Sequence, residues 1–427
     1  MRMKGMVCAI ITMMLVTSLT FAAGQGEQEQ EEGVVTLNVL NYADMASQEG
    51  RTWEAIRDAF MAAHPDIQLE VETLYDEPYH QKLAASVAAG SVPDVMYLWP
   101  GGRSRQVTQT GLVADLTPHI EDIRDNYAPS ALAPQGDGNL YELPIAVTAT
   151  HVLYVNTPVL REAGLEMPET YEELREVAAE LRDAGKDAVI MANADAWVMN
   201  STLLGTLVGR LGGPTWMEEA VNGEHSFTDP VFVDALELIQ DMYQSGVLPN
   251  GSIQTGYGEV PSNFAEGRGA FLVDGDWRVG ALVPLLSAEE QQEIELTVFP
   301  EIPGEVYPNS TSIVAGSGFG MAAGLSPEKQ EAALKLVRFF AGPEAARIRL
   351  EAEGIIPSYQ LDLENFDIDP LAQKRAALYA NFEGSNVVDN YLTGQPNDVL
   401  NQGMQEIALG AKEPSQVAQE VEDALER

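Results

Sequence analysis

The chain of 427 residues is poor in cysteine, in positive charge and in long apolar runs. Its one cysteine, Cys8, lies inside an apolar stretch at 6–19 that follows Arg2 and Lys4. That is the pattern of an export signal, with cleavage expected after Ala22, so 1–22 is read as signal peptide. The mature chain then has no cysteine, which excludes disulfides and a thiol nucleophile. A bacterial lipid anchor is excluded too, because its cysteine must follow the apolar run and Cys8 sits near the start of it. Residues 23–33 are Gln/Glu-rich without apolar periodicity and read as a disordered acidic leader. Lys and Arg total 24 against 65 Asp and Glu, a formal net charge of −41. Nucleic acid needs a basic footprint and anionic lipid needs basic clusters, so neither is a partner. A solvated acidic surface keeps a protein apart from its copies, and a monomer is expected. After the signal no run reaches the ~18 apolar residues of a membrane span. The five histidines show no metal spacing, and neither a metal nor a cofactor is expected. The run Gly316-Ser317-Gly318-Phe319-Gly320 lacks the Lys-Ser/Thr ending of a phosphate loop and reads as a strand that allows close backbone approach.

What is present is an α/β pattern long enough for two domains. Val35, Leu37 and Val39 alternate as a strand, and Trp53, Ile56 and Phe60 recur at helical spacing up to His64-Pro65. Ile67, Leu69 and Val71 make a second strand, Tyr79, Leu83 and Val87 a short helix, and 93–99 a buried strand. This order predicts a mostly parallel sheet with helices on both faces. Ligands of such sheets sit beyond the strands' carboxyl ends, which puts Tyr42, Asp44, Tyr75 and Trp99 at one rim. The second half repeats the logic. A strand at 152–155 precedes a helix opened by the capping box Thr170-x-x-Glu173, and a strand at 188–192 leads to Asp195-Ala196-Trp197. A helix at 231–243 follows, then a strand that ends at Asp274-Gly275-Asp276-Trp277. After Pro300 the chain returns to the first half, with strands at 310–322, a helix opened by Ser326-Pro327 and another from Pro343. Helices fill 370–425, broken at Gly384, Gly394-Gln395-Pro396 and Gly410.

Trp99, Trp197 and Trp277 each follow a strand. A sugar offers an apolar C–H face for stacking and a rim of hydroxyls, so flat indoles with carboxylates, amides and Arg beside them suit it. Asp44, Arg103, Asp276 and Asn309 are candidate rim partners. Trp53, on a helix face, and Trp216, in a loop flanked by Gly and Pro, are set aside. Close carboxylates such as Asp274 and Asp276 leave a carbohydrate-active enzyme as an alternative.

The segment Gly138-Asn139-Leu140-Tyr141-Glu142-Leu143-Pro144, Leu153-Tyr154-Val155-Asn156, Ala163-Gly164-Leu165 and Pro168-Glu169-Thr170 resembles the crossing between lobes in family 1 extracellular solute-binding proteins, the maltose-binding-protein-like sugar receptors of ABC importers. Further marks occur in the family's order, among them Pro93-Asp94-Val95, Gly111-Leu112-Val113, Phe264-x-x-Gly267, Gly275-x-Trp277 and Gly354-x-x-Pro357. The resemblance implies two α/β lobes of the type II periplasmic-binding fold, joined by a hinge, that close on a carbohydrate. Residues 34–146 and 299–345 would form lobe 1, and 147–298 and 346–427 lobe 2, with crossings near 146–150, 299–302 and 343–350. Trp277 would be the stacking residue of the second lobe, Trp99 its counterpart on the first, and Asp44 a hydroxyl acceptor. Thr148 and Tyr391 would complete the site. A periplasmic receptor serving ABC permease subunits is implied, and not an enzyme. A receptor feeding a sensor or chemotaxis system is the alternative.

Overall fold

The computed structural model describes residues 33–132, 138–385 and 387–425; the expected signal peptide and nearly all of the leader lie outside them. Strand β1 (Val35–Tyr42) buries Leu37 and Val39 and exposes Asn38, as its alternation requires. It pairs in parallel with β2 (Ile67–Leu74) on one side and β3 (Val95–Leu98) on the other. Helix α1 (Gln48–Ala63) starts at Ser47, whose side chain accepts from the Glu49 amide, and lays Trp53, Ile56 and Phe60 on this sheet. Helix α2 (Glu77–Ala88) joins β2 to β3, and α3 (Gly102–Thr108) follows β3. The chain leaves the sheet through β4 (Leu143–Pro144) and β5 (Val147–Ala149).

The second sheet is built from β6 (Val152–Asn156), β7 (Asp187–Ile190), β8 (Gly269–Asp274) and β9 (Ile294–Thr297), in the order β7-β8-β6-β9. The chain then returns through β10 (Ser310–Thr311) and β11 (Ile313–Ala315) to β12 (Gly318–Met321), which enters the first sheet between β3 and β4. A last short strand, β13 (Glu383–Gly384), pairs with β10.

Parallel pairing is confined to the strands that helices connect. β12 runs antiparallel to β3 and β4, and β6 runs antiparallel to β8 and β9, so the second sheet has only β7 and β8 in parallel. The expectation of a mostly parallel sheet in each lobe is corrected on this point. β6 and β12 each enter a lobe directly from the crossing. They run away from it, against the strands whose carboxyl ends face it, and such a pair needs no crossover helix.

The crossing is a set of short backbone ladders. β5 pairs with β11 through Thr148 and Val314, the Thr150 amide donates to Ser312 Oγ at 2.7 Å, and the Val147 amide donates to the Ile356 carbonyl at 3.2 Å. Two crossings fall later than expected. Phe299 and Ile302 are buried in the second lobe, where Arg210 donates to the Phe299 carbonyl at 2.7 Å, so the chain crosses at 310–317. Helix Pro343–Glu353 packs on α1 with Ala345 in the first core, so the final crossing follows Gly354. Gly354 has φ 62°, and a Cβ there would stand 2.3 Å from the Ala372 Cβ on the opposite lobe. The helices Pro370–Asn381, Gln395–Ala408 and Pro414–Ala424 close the second core with Leu371, Leu400 and Val417.

Candidate ligand-binding cleft

The carboxyl ends of β1, β2 and β3 carry the first aromatic wall. Trp99, just past β3, lies 4.9 Å from the Tyr42 ring, edge to face, and 5.1 Å from the His80 ring. Tyr75, at the end of β2, tilts against Tyr42 at 5.2 Å and is exposed. Beneath them Tyr79 is fully buried and donates to the Tyr97 carbonyl, while the Tyr97 hydroxyl meets Ser317 Oγ. The wall therefore has a fixed back and a half-buried face. Asp44 lies half-buried beside it, with Oδ1 taking the Ala46 amide at 2.9 Å in the turn that leads into α1.

The second wall is built the same way. Trp277 follows β8, half-buried, and its Nε1 donates to the Tyr257 hydroxyl. That hydroxyl donates to Asp274 Oδ1 at 3.1 Å, and the Arg278 guanidinium lies 3.9 Å over the Tyr257 ring. Gly275 is required here, since a Cβ at that position would come within 2.2 Å of the indole. Trp197 stands edge-on to Tyr257 at 4.8 Å and 6.5 Å from Trp277. Asp274 and Arg278 are both buried and joined at 2.6 Å. Burial pushes the Asp274 carboxyl up and the Arg278 charge opposes the shift.

The walls are near enough to feel each other's charges. The charge of Arg278 on the second lobe reaches Tyr75 on the first, where burial pushes the phenol up to about 12 and Arg278 works against it. Asp76 is raised first by burial and then by Asp195 of the other lobe. Asp76 also sits at φ 56°, a conformation costly for a residue with a Cβ. At the foot of the first wall Glu49 is lifted to about 7, by burial and then by Glu353.

Of the residues expected at the site, Tyr42, Asp44, Trp99, Trp197 and Trp277 are brought together at the walls. Arg103 extends between them, over the Trp197 ring at 5.5 Å, with Nε 2.9 Å from Asp389 Oδ2. Thr148 lies at the crossing, paired with Val314. Asn309 is exposed at φ 53°, just before β10. Tyr391 packs on the second core beside Asp389, its phenol raised by burial and then by Glu218. Asp276 is not brought to the walls. It is 0% exposed, bonded to Arg375 Nε at 2.8 Å and to the Tyr379 hydroxyl, because the turn after β8 points it into the second core. Trp53 and Trp216, set aside on sequence, are buried. His80, Tyr257 and Glu49 were missed. Tyr257 sits between two glycines with no periodicity to reveal it, and His80 and Glu49 gain their places only through the helix faces they occupy.

The same architecture occurs in known proteins. The galactooligosaccharide-binding protein of Bacillus subtilis is 26% identical over 84% of this chain and 83% of its own length. A solved chitin oligosaccharide binding protein superposes with a TM-score of 0.81 at 25% identity, covering 92% of this chain and 98% of that one. A structure from work on xylan utilization by Caldanaerobius polysaccharolyticus superposes at 0.82 with 23% identity, over 91% of this chain and 99% of that one, which speaks to the fold. Residues 46–347 match the family described as bacterial extracellular solute-binding protein, and the chain belongs to that family.

Proposed function

We propose that the chain is an exported receptor that captures a sugar or oligosaccharide by lobe closure and hands it to the permease of an ABC importer. The observation that carries this reading is the pair of opposed aromatic walls, one from each lobe. Each carries a half-buried tryptophan and is pinned from behind by hydrogen bonds, from Tyr79 to the Tyr97 carbonyl in one and from Trp277 Nε1 to Tyr257 in the other. A neutral polyhydroxylated ligand suits them, since stacking supplies affinity and Asp44, Glu49 and Asp195 can accept hydrogen bonds from its hydroxyls. Relatives with oligosaccharide names support the same class of ligand. The paired carboxylates that suggested a glycosidase, Asp274 and Asp276, are committed to Arg278 and Arg375, which favours binding without turnover. We place Tyr42, Tyr75, Trp99, Trp197, Tyr257 and Trp277 in the site and put the hinge at the ladders of β5, β10, β11 and β13. The export signal and cysteine-free mature sequence fit a periplasmic monomer.

The test is a thermal-shift screen against xylo-, chito-, malto- and galacto-oligosaccharides, followed by small-angle scattering on any hit. A ligand of the native state raises the melting temperature. Closure lowers the radius of gyration. A shift with no change in radius would remove the flytrap, and no shift across the panel would remove the carbohydrate.

A further inference from the structure

Among the described residues, one ion pair spans the gap. Arg103 stands near the start of α3, on the first lobe, and its side chain is 31% exposed. Asp389, on the second lobe in helix Val388–Tyr391, is 6% exposed. The guanidinium Nε is 2.9 Å from Asp389 Oδ2, while Ser201 Oγ donates to Oδ1 at 3.0 Å. Ser201 belongs to a π-helical turn, Met199–Leu204, and such turns re-aim a side chain out of the helical register. The same guanidinium lies over the Trp197 ring. The backbone is cut to fit as well. A Cβ on Gly102 would come 2.3 Å from Thr393 Cγ2 and 2.6 Å from the Asn390 carbonyl, so α3 rests with bare backbone on the opposite lobe.

The charges around the contact give it a task. Asp76 on the first lobe and Asp195 on the second are near enough to raise the Asp76 carboxyl, and Arg103 works against that rise. Closing the gap brings these like charges together, and the Arg103 guanidinium between the lobes offsets part of their repulsion. We propose that Arg103 and Asp389 form a closing latch: an inter-lobe ion pair that stabilises the shut conformation apart from the ligand's own contacts. Asp389 is the positioning residue, and Ser201 holds it so that it aims Arg103 onto the Trp197 face. The proposal rests on the two-lobed receptor reading and adds that part of the closing free energy is built into the chain. Where the shut form is the minor state of the free protein, apparent affinity falls by the same factor as its population.

The experiment compares wild type, Arg103→Gln, Asp389→Asn and the double variant. Scattering is recorded without sugar and with a millimolar mixture of xylo-, chito-, malto- and galacto-oligosaccharides, and calorimetry is run on the same mixture. Arg103 is exposed enough for its variant to fold, and an amide at 389 can still accept from Ser201. Each single change should weaken binding by up to about fivefold, the range of a partly exposed pair. It should also enlarge or leave unchanged the sugar-free radius, never shrink it. The double variant should be no weaker than the worse single one, because both remove one interaction. Additive losses would overturn the latch. So would a loss confined to Arg103→Gln, which would make Arg103 a ligand contact. Failure of the receptor reading looks different: wild type would neither bind nor contract with any sugar in the mixture.

Discussion

Trp277 and Asp276 are neighbours in sequence and face opposite worlds, the gap and the core. The indole is half-buried, held by Tyr257 and packed over Gly275. Trp277→Ala is expected to weaken sugar binding by about 1–3 kcal/mol, the scale of a buried aromatic contact, with little change in melting temperature. Calorimetric titration checks it, and unaltered affinity would return Trp277 to a structural role. Asp276→Ala has the reverse signature. It leaves Arg375 charged and fully buried without its carboxylate. Breaking one side of such a pair costs about 3–5 kcal/mol. Urea unfolding should show that loss, and a variant of wild-type stability would put Asp276 back among the ligand contacts. The residue pattern announced a polar-aromatic turn here. Which side chain turned inward depends on Arg375 and Tyr379, about a hundred residues on, and no local signal carries that.

At the level of elements, several locally decided features were legible, though Trp216, read as a loop residue, opens the short helix Trp216–Val221. The Thr170–Glu173 capping box forms with both of its bonds, and Ser326 caps its helix by accepting from the Lys329 amide. The expected strand ends agree with the structure, where Tyr42 closes β1, Trp99 follows β3 and the two rings meet. What was not legible is decided by pairing at a distance: the antiparallel entry of β6 and β12, the hold of helix Pro343–Glu353 on α1, and the Arg103–Asp389 contact. The turn between β5 and β6 adds a chemical consequence. His151 is buried there, 3.5 Å from Ser385 Oγ and pressed against Gly205. Burial, aided by the Arg210 charge and opposed by the Ser201 carbonyl, lowers its pKa from 6.5 to about 3. As pH falls below 6.5 the unfolded chain takes up this proton and the folded chain does not. Folding stability is therefore lost as pH drops through that window, by about 1.4 kcal/mol per pH unit from this group. Carboxylates titrate in the lower part of it, so the comparison is with His151→Gln. The stability gap between wild type and variant should narrow as pH is lowered from 6.5 toward 4. A gap independent of pH would mean the imidazole charges freely in the folded state.

For the whole molecule the governing quantity is its net charge of −41. Most of that charge is on the surface, and folding concentrates it, so self-repulsion works against the compact state. Local pairs such as Arg338–Asp122 and Lys374–Glu295 are exposed and worth little each. The buried pairs Asp276–Arg375 and Asp274–Arg278 are shielded from solvent and respond weakly to ions. Added salt therefore screens the long-range repulsion more than it weakens the contacts that hold the fold. The Debye length shrinks from about 30 Å at 0.01 M to about 8 Å at 0.15 M, across distances that separate surface carboxylates from one another but not the partners of a buried pair. The melting temperature is expected to rise with sodium chloride over this range and then level off. Calorimetric scans at fixed pH test it. A melting temperature that falls with salt would mean that exposed ion pairs, and not the two cores, hold the receptor together.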